Sequence, residues 1–327
     1  MLGRLKSWIA ENLPRSLVLP FAKLSAFGIQ RHALDDKAYE IFSESGFHLL
    51  RKHFYLPIPE DRDLAGFWQT NTEMVGVDTN DGYALELLEN VFPIYNDEFR
   101  KTFRLRPVND SSGFHLLNGS FMAIDAQVYY AFIRNFRPRR IIEIGAGHST
   151  LVAAQAGAQN QQTDSVAPDL TAIDPYPPAF LKAGVPGCSR LIENKIQNVS
   201  MSEFASLKAG DILFIDSTHV LREGGDVQLE YCEILPRLAP GVLVHIHDIS
   251  LPKPYPRVYF EQRRYWNEQS MLQAFLAFNS RFEVIWPGNY MLLKYPEKVC
   301  GVFPEYHEMR KAFPSSEPSS FWIRVRP

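Results

Sequence analysis

Cysteine is scarce in this chain: Cys188, Cys232 and Cys300 are the only three in 327 residues, and they lie far apart. They make no CxxC pair and no disulfide framework, so free thiols in a reducing, cytoplasmic setting are expected. Strong charge of either sign is also missing. The formal net charge is -3, and no basic block or arginine-rich run appears. Bulk electrostatics therefore give no reason to expect nucleic acid or an anionic membrane as partner. No apolar run reaches the length of a membrane span. The opening MLGRLKSWIAENLPRSLVLPFAKL carries early positive charge, but Glu11, Arg15 and Lys23 interrupt any apolar core of a signal peptide. An amphipathic helix over about residues 2–13 is the expectation there. Internal repeats and low-complexity tracts are absent. What remains, 46% hydrophobic and 22% charged residues, is the composition of an ordinary globular chain.

Two regions differ in pattern. Residues 1–118 are irregular and rich in aromatics and prolines. The prolines of HFYLPIPEDRDL (His53 to Leu64) rule out a continuous helix there, and the stretch from Asp78 to Phe99 reads as a turn and one amphipathic helix. Residues 119–327 alternate strand and helix. AIDAQVYYAFIRNF is a helix stopped by Pro138. The apolar runs RRIIEIGAG, LTAIDPYP, SRLIENKIQNV, DILFIDSTHV, GVLVHIHDI and RFEVIWPG are strands, and SSFWIRVRP is a candidate last one. STLVAAQAGAQ, DVQLEYCEILPRLAPG and WNEQSMLQAFLAFN are helices between them, the first capped by Ser149 or Thr150. Such alternation predicts an α/β, Rossmann-like, doubly wound, mostly parallel sheet. The preceding region would be a helical and irregular extension that covers the acceptor pocket. Ligands of such sheets bind beyond the carboxyl ends of the strands. That edge collects Glu143–Thr150, Asp174–Pro177, Asp216–His219 and His245–Asp248.

The central motif is Glu143-Ile144-Gly145-Ala146-Gly147-His148-Ser149-Thr150. Its glycines permit a tight turn and close approach of a ligand to the backbone. An acid immediately before the turn would repel a pyrophosphate, which seeks a helix N-terminus free of competing charge. It would favour the ammonium and sulfonium of S-adenosylmethionine. Asp174 ends the next strand and suits ribose hydroxyls. It lies about thirty residues past the first glycine, later than the roughly twenty of a nicotinamide fingerprint. Thr150 stands where that fingerprint has its third glycine. Pro175, Gln197, Asn198 and Ser217 complete the candidate cofactor contacts, together with Glu143, Asp174, Gly145, Ala146, Gly147, Ser149, Thr150 and Asp216.

EIGAGHST, IDPYP, ILFIDSTHV and VHIHDI resemble the successive motifs of class I S-adenosylmethionine-dependent methyltransferases. They are most similar to the bacterial branch of the macrocin O-methyltransferase and cephalosporin-hydroxylase-like group. The resemblance covers about residues 120–327 and implies a seven-stranded sheet with an antiparallel last strand. It does not specify the methyl acceptor, for which a small molecule or a sugar hydroxyl is expected.

On the acceptor side, Asp216, His219 and His247 are the candidate catalytic residues. In one reading Asp216, His247 and Asp248 hold a divalent metal that acidifies an acceptor hydroxyl, with His219 as a fourth ligand or an orienter of the others. In another, a histidine is a metal-free general base. In a third, the cluster is a hydrogen-bonded edge of the sheet and nothing more. The basic, aromatic segment SLPKPYPRVYFEQRRYW reads as a lid over this edge, with Tyr55, His115 and Tyr255 as further pocket residues. A nicotinamide-dependent oxidoreductase and a non-catalytic cofactor-binding scaffold are the competing functions.

Overall fold

The computed structural model describes residues 14–31, 36–48, 50, 52–107 and 113–326, so the helix expected over about residues 2–13 lies outside them. The chain divides into two compact units, Met1–Ile58 and Pro59–Pro327. Among the described residues the first contains two helices, α1 (Arg15–Arg31) and α2 (Asp36–Glu44). No helix among the described residues is long and apolar enough to cross a membrane.

The second unit is built on one seven-stranded sheet. Its strands are β1 (Arg140–Ile144), β2 (Asp169–Ile173), β3 (Arg190–Ile192), β4 (Ile212–Ile215), β5 (Leu243–Ile246), β6 (Phe282–Pro287) and β7 (Phe321–Val325). Their spatial order is β3-β2-β1-β4-β5-β7-β6. β1 to β5 pair in parallel, and β7 runs antiparallel to both β5 and β6. The central strands are buried on both faces because helices cover both, which is why they read as unbroken apolar runs. Successive side chains feed two cores. Ile141, Phe214 and Leu243 pack with the helices Asp125–Phe136 and His148–Asp164, whereas Ile142, Ile144, Leu213, Ile215 and Val244 pack with the helix Glu268–Leu276 on the other side.

The departures from expectation have local causes. The single helix expected from Asp78 is two, Asp81–Asn90 and Phe92–Thr102, with Pro93 in the first turn of the second. Proline is tolerated there because that amide has no intrahelical acceptor. The helix expected from Asp226 is a broken one. An α-turn (Asp226–Leu229) becomes a π-turn (Glu230–Ile234) and then a 3-10 turn (Leu235–Arg237). Pro236 cannot donate to the residue four back and its ring crowds that carbonyl. Three short helices, Gly288–Lys294, Pro296–Val302 and Glu305–Ala312, separate β6 from β7; no sequence pattern had marked them.

Candidate active site

β1 delivers the glycine turn to the edge of the sheet. Gly145 has φ +81, and a Cβ built on it would stand 1.9 Å from the carbonyl oxygen of Asp216. The turn is thus pressed backbone to backbone against the end of β4, an approach open only to glycine. The Ala146 N–H donates to Asp174 Oδ2 at 3.1 Å, and the Gly147 N–H donates to Thr150 Oγ1 at 3.2 Å. The following helix starts at His148, one residue ahead of the expected cap.

Glu143 lies below this turn and not in the cavity beside it. It is 0% exposed, and it accepts hydrogen bonds from Thr150 Oγ1 at 2.5 Å and Tyr129 Oη at 3.0 Å. Burial pushes its pKa up to about 7, against the pull of those two hydroxyls. In this geometry the carboxylate braces the glycine turn through Thr150; it is not a surface acid paired with Arg139 or Arg140. Asp174 is part-exposed and keeps lone pairs free beyond the bonds from Ala146 N–H and Tyr176 N–H. Pro175 is exposed beside it. Gln197 and Asn198 lie on an exposed 3-10 turn after β3, where Gln197 donates to the Gly224 carbonyl and Asn198 to Asn194. Ser217 turns toward buried Glu230, to which it donates at 3.1 Å. Ser149 and Thr150 are buried in the first turn of their helix.

Beside the turn lies a cavity of about 400 Å³, lined by Ala146, Gly147, Asp216, His247 and Asp248. Here the ends of β4 and β5 bring their polar side chains together. His219 Nε2 is 3.2 Å from Asp216 Oδ1 and 3.5 Å from Asp248 Oδ2, while its Nδ1 is 2.8 Å from Glu268 Oε2. The Trp266 ring covers the imidazole, centroid to centroid 4.4 Å. Burial opposes charge on His219, but Asp216, Glu268 and Asp248 outweigh it and hold its pKa well above the usual histidine value. Burial likewise opposes ionisation of Asp216, yet His247 and His219 hold its carboxyl far below the usual range. Its side chain remains 37% exposed toward the cavity. His219 and Asp248 both adopt left-handed backbone, φ +60 and +56, a conformation that histidine and aspartate enter more readily than most non-glycine residues.

The ligand spacing departs from the one expected. One atom each of Asp216, His219 and Asp248 lies within 4.8 Å of the others. His247 is outside that group although it is nearly as close: its Nδ1 is 3.7 Å from Asp216 and 3.6 Å from Asp248, and its Nε2 is 3.7 Å from Asp125. The reason is the strand period. His245 and His247 share the face that carries Phe214, as alternation requires, with the His247 ring 5.3 Å from Phe121. His219, on a loop, is free to reach between the two aspartates. The ring nitrogens of His247 are buried without hydrogen-bond partners. Asp216 and Asp248 push its pKa up to about 9, against burial.

Glu268 and Asp125 escaped the sequence reading. Glu268 is fully buried in the first turn of its helix and also accepts from Tyr231 Oη at 3.1 Å. Asp125 opens the helix before β1 and accepts from the Ser319 and Ser320 amides. Neither sits at a strand end, and no motif spacing links either to the cluster. The segment after β5 does line the cavities. Tyr255 is buried and accepts from the Gln269 N–H, and Trp68 donates to the Tyr255 carbonyl. His115 bridges to Arg104 and lines neither of the two cavities described here.

Comparison with known proteins agrees with this geometry. Residues 142–249 match the family model described as a methyltransferase domain. An uncharacterized protein of Archaeoglobus fulgidus is 32% identical over 165 residues, spanning 48% of this chain and 72% of the relative. A crystal structure of a SAM dependent methyltransferase from Archaeoglobus fulgidus aligns with 62% of this chain and 94% of its own. It does so at 12% identity and a TM-score of 0.33, a likeness too slight to bear on fold or chemistry.

Proposed function

The chain belongs to the methyltransferase-domain family and is an S-adenosylmethionine-dependent methyltransferase; from that premise we propose that it methylates a hydroxyl oxygen of a small molecule or sugar, with a divalent cation held by Asp216, His219 and Asp248. The single observation that carries the reading is the convergence of these three side chains on one another, with Asp216 and Asp248 in the wall of the cavity beside the glycine turn.

The residues present fit both groups. For the cofactor, the tight backbone of Gly145 and Gly147, the spare lone pairs of Asp174 and the cavity beside them supply a site without a phosphate cradle. S-adenosylmethionine brings an electrophilic methyl on a sulfonium, and carboxylates nearby favour that charge. For the cation, two carboxylates and an imidazole form a mixed O/N donor set. The imidazole is held from behind by a buried carboxylate, Glu268, the arrangement that orients metal-binding histidines. When bound there, a divalent cation would lower the pKa of an acceptor hydroxyl. The chain's own part is to hold that hydroxyl between Asp216 and Asp248, in line with the methyl group, so that positioning supplies much of the rate. In the cation-free protein His219 carries the positive charge between the aspartates, so cation and proton compete for its Nε2. Cation binding should release a proton and weaken as pH falls.

His247 supports a second reading, a metal-free base, because it lines the cavity with both ring nitrogens unbonded. Its raised pKa weighs against that role, since an imidazolium has no lone pair to accept a proton. Metal analysis and chelation separate the two. Protein purified without chelator should contain about one equivalent of divalent metal, and EDTA should suppress methyl transfer while leaving S-adenosylhomocysteine binding intact. Full turnover in EDTA with no metal found would remove the cation and shift the assignment to His247.

A further inference from the structure

A second cavity, of about 620 Å³, adjoins the first and shares Asp248, Tyr259 and Arg264 with it. It is large enough for an acceptor, and charges of both signs line it. The acids Asp125 and Asp248 stand at the end nearest the reacting centre. Lys253 and Arg310, in the same cavity wall, share one carboxylate, Glu317, at 2.8 and 3.5 Å. Two cations against one acid leave this group with a positive surplus. Arg264, at the junction of the two cavities, has no carboxylate within ion-pair distance among the described residues.

The Arg264 guanidinium is nevertheless held in place. It lies 5.7 Å from the ring centroids of both Tyr259 and Trp266, and those two rings are 4.6 Å apart. Its backbone N–H donates to the Tyr259 carbonyl at 2.7 Å. Trp266 in turn packs on His219. An arginine seated on aromatic faces presents its planar fork pre-organised, and the fork matches a carboxylate or a phosphate. We propose that Arg264 is a specificity residue that binds an anionic group of the acceptor, so that the substrate is a hydroxyl compound carrying a carboxylate or phosphate. This rests on the methyltransferase reading, since it takes the hydroxyl to sit at Asp216 and Asp248. The guanidinium on the same cavity wall then fixes which hydroxyl of a polyol is presented.

The test uses the full chain loaded with S-adenosylhomocysteine, titrated calorimetrically with inorganic phosphate, with acetate, and with glucose 6-phosphate against glucose. Phosphate or acetate should bind, the better of the two naming the anion, and glucose 6-phosphate should bind where glucose does not. Arg264→Gln should weaken anion binding roughly tenfold, the scale of one lost charge-assisted hydrogen bond, with S-adenosylhomocysteine affinity unchanged. Arg264 is exposed, so the variant should fold, and its unfolding midpoint confirms this. Equal anion affinity in the variant, or no anion binding by the parent, overturns the proposal. A loss of S-adenosylhomocysteine affinity in Arg264→Gln also overturns it, by assigning the guanidinium to the cofactor's own carboxylate. Failure of the parent chain to bind S-adenosylhomocysteine at all would be a different result, against the methyltransferase reading itself.

Discussion

Replacing Gly145 with alanine should abolish cofactor binding and destabilise the second unit by roughly 3–5 kcal/mol, the combined scale of a left-handed non-glycine residue and an overpacked contact. The two effects add because they have separate origins. At φ +81 any L side chain is strained, and here the added methyl would also lie 1.9 Å from the Asp216 carbonyl oxygen. That oxygen belongs to backbone at the end of β4 and cannot swing aside as a side chain would. Relief would require β1 and β4 to part, which breaks the register from Ile141↔Ile212 to Ile144↔Ile215. It would also move Asp216, so the turn and the carboxylate cluster would fail together. Denaturant unfolding and calorimetry on the same variant measure both. Parent-like stability and affinity would mean that the turn is looser than its packing indicates. Gly147, with open space where a Cβ would stand, is the internal control: its alanine variant should lose far less stability.

The second large effect is expected at Asp248. Asp248→Ala should lower turnover by roughly two to four orders of magnitude, the range for removing a group that handles the acceptor's proton or charge. S-adenosylhomocysteine binding should change little, because the glycine turn and Asp174 do not depend on this side chain. The argument is electrostatic. His219 lies between Asp216 and Asp248, and removal of one aspartate leaves an unbalanced imidazole and one carboxylate too few for a cation. A steady-state assay with methyl-labelled cofactor, run beside a binding titration, separates the two effects. Equal loss of binding and turnover would place Asp248 in the cofactor site instead. Unchanged turnover would make the cluster a structural edge of the sheet.

The sheet was legible because its strands are buried on both faces. Ile141 to Ile144, Ile212 to Ile215 and Leu243 to Ile246 are nearly unbroken apolar runs, each ending in an acid, a glycine or a histidine. Parallel topology then forces those ends to one edge. The glycine turn was legible for the same reason, since Gly145 and Gly147 follow a strand directly. The partners that complete the site were not legible. Glu268 reaches His219 across 49 positions, and Asp125 faces His247 from a helix that precedes β1. Contacts of this kind are set by packing and leave no periodic trace. The position of Glu143 before the glycine turn suggests a cofactor contact, whereas strand alternation points it into the core with Phe214 and His245, toward Tyr129 and away from the cavity. His247 was preferred to His219 as a ligand for a related reason: a strand residue has a predictable face, whereas the loop conformation that carries His219 between the aspartates does not follow from sequence.

The most direct measurement is a calorimetric titration of the intact chain with S-adenosylhomocysteine and, separately, with NAD. A site with an acid-braced glycine turn, no phosphate cradle and Asp174 at the end of β2 should bind S-adenosylhomocysteine at roughly micromolar concentration, about -8 kcal/mol, and NAD not measurably. Tight binding of NAD with no heat from S-adenosylhomocysteine would contradict the account at its centre.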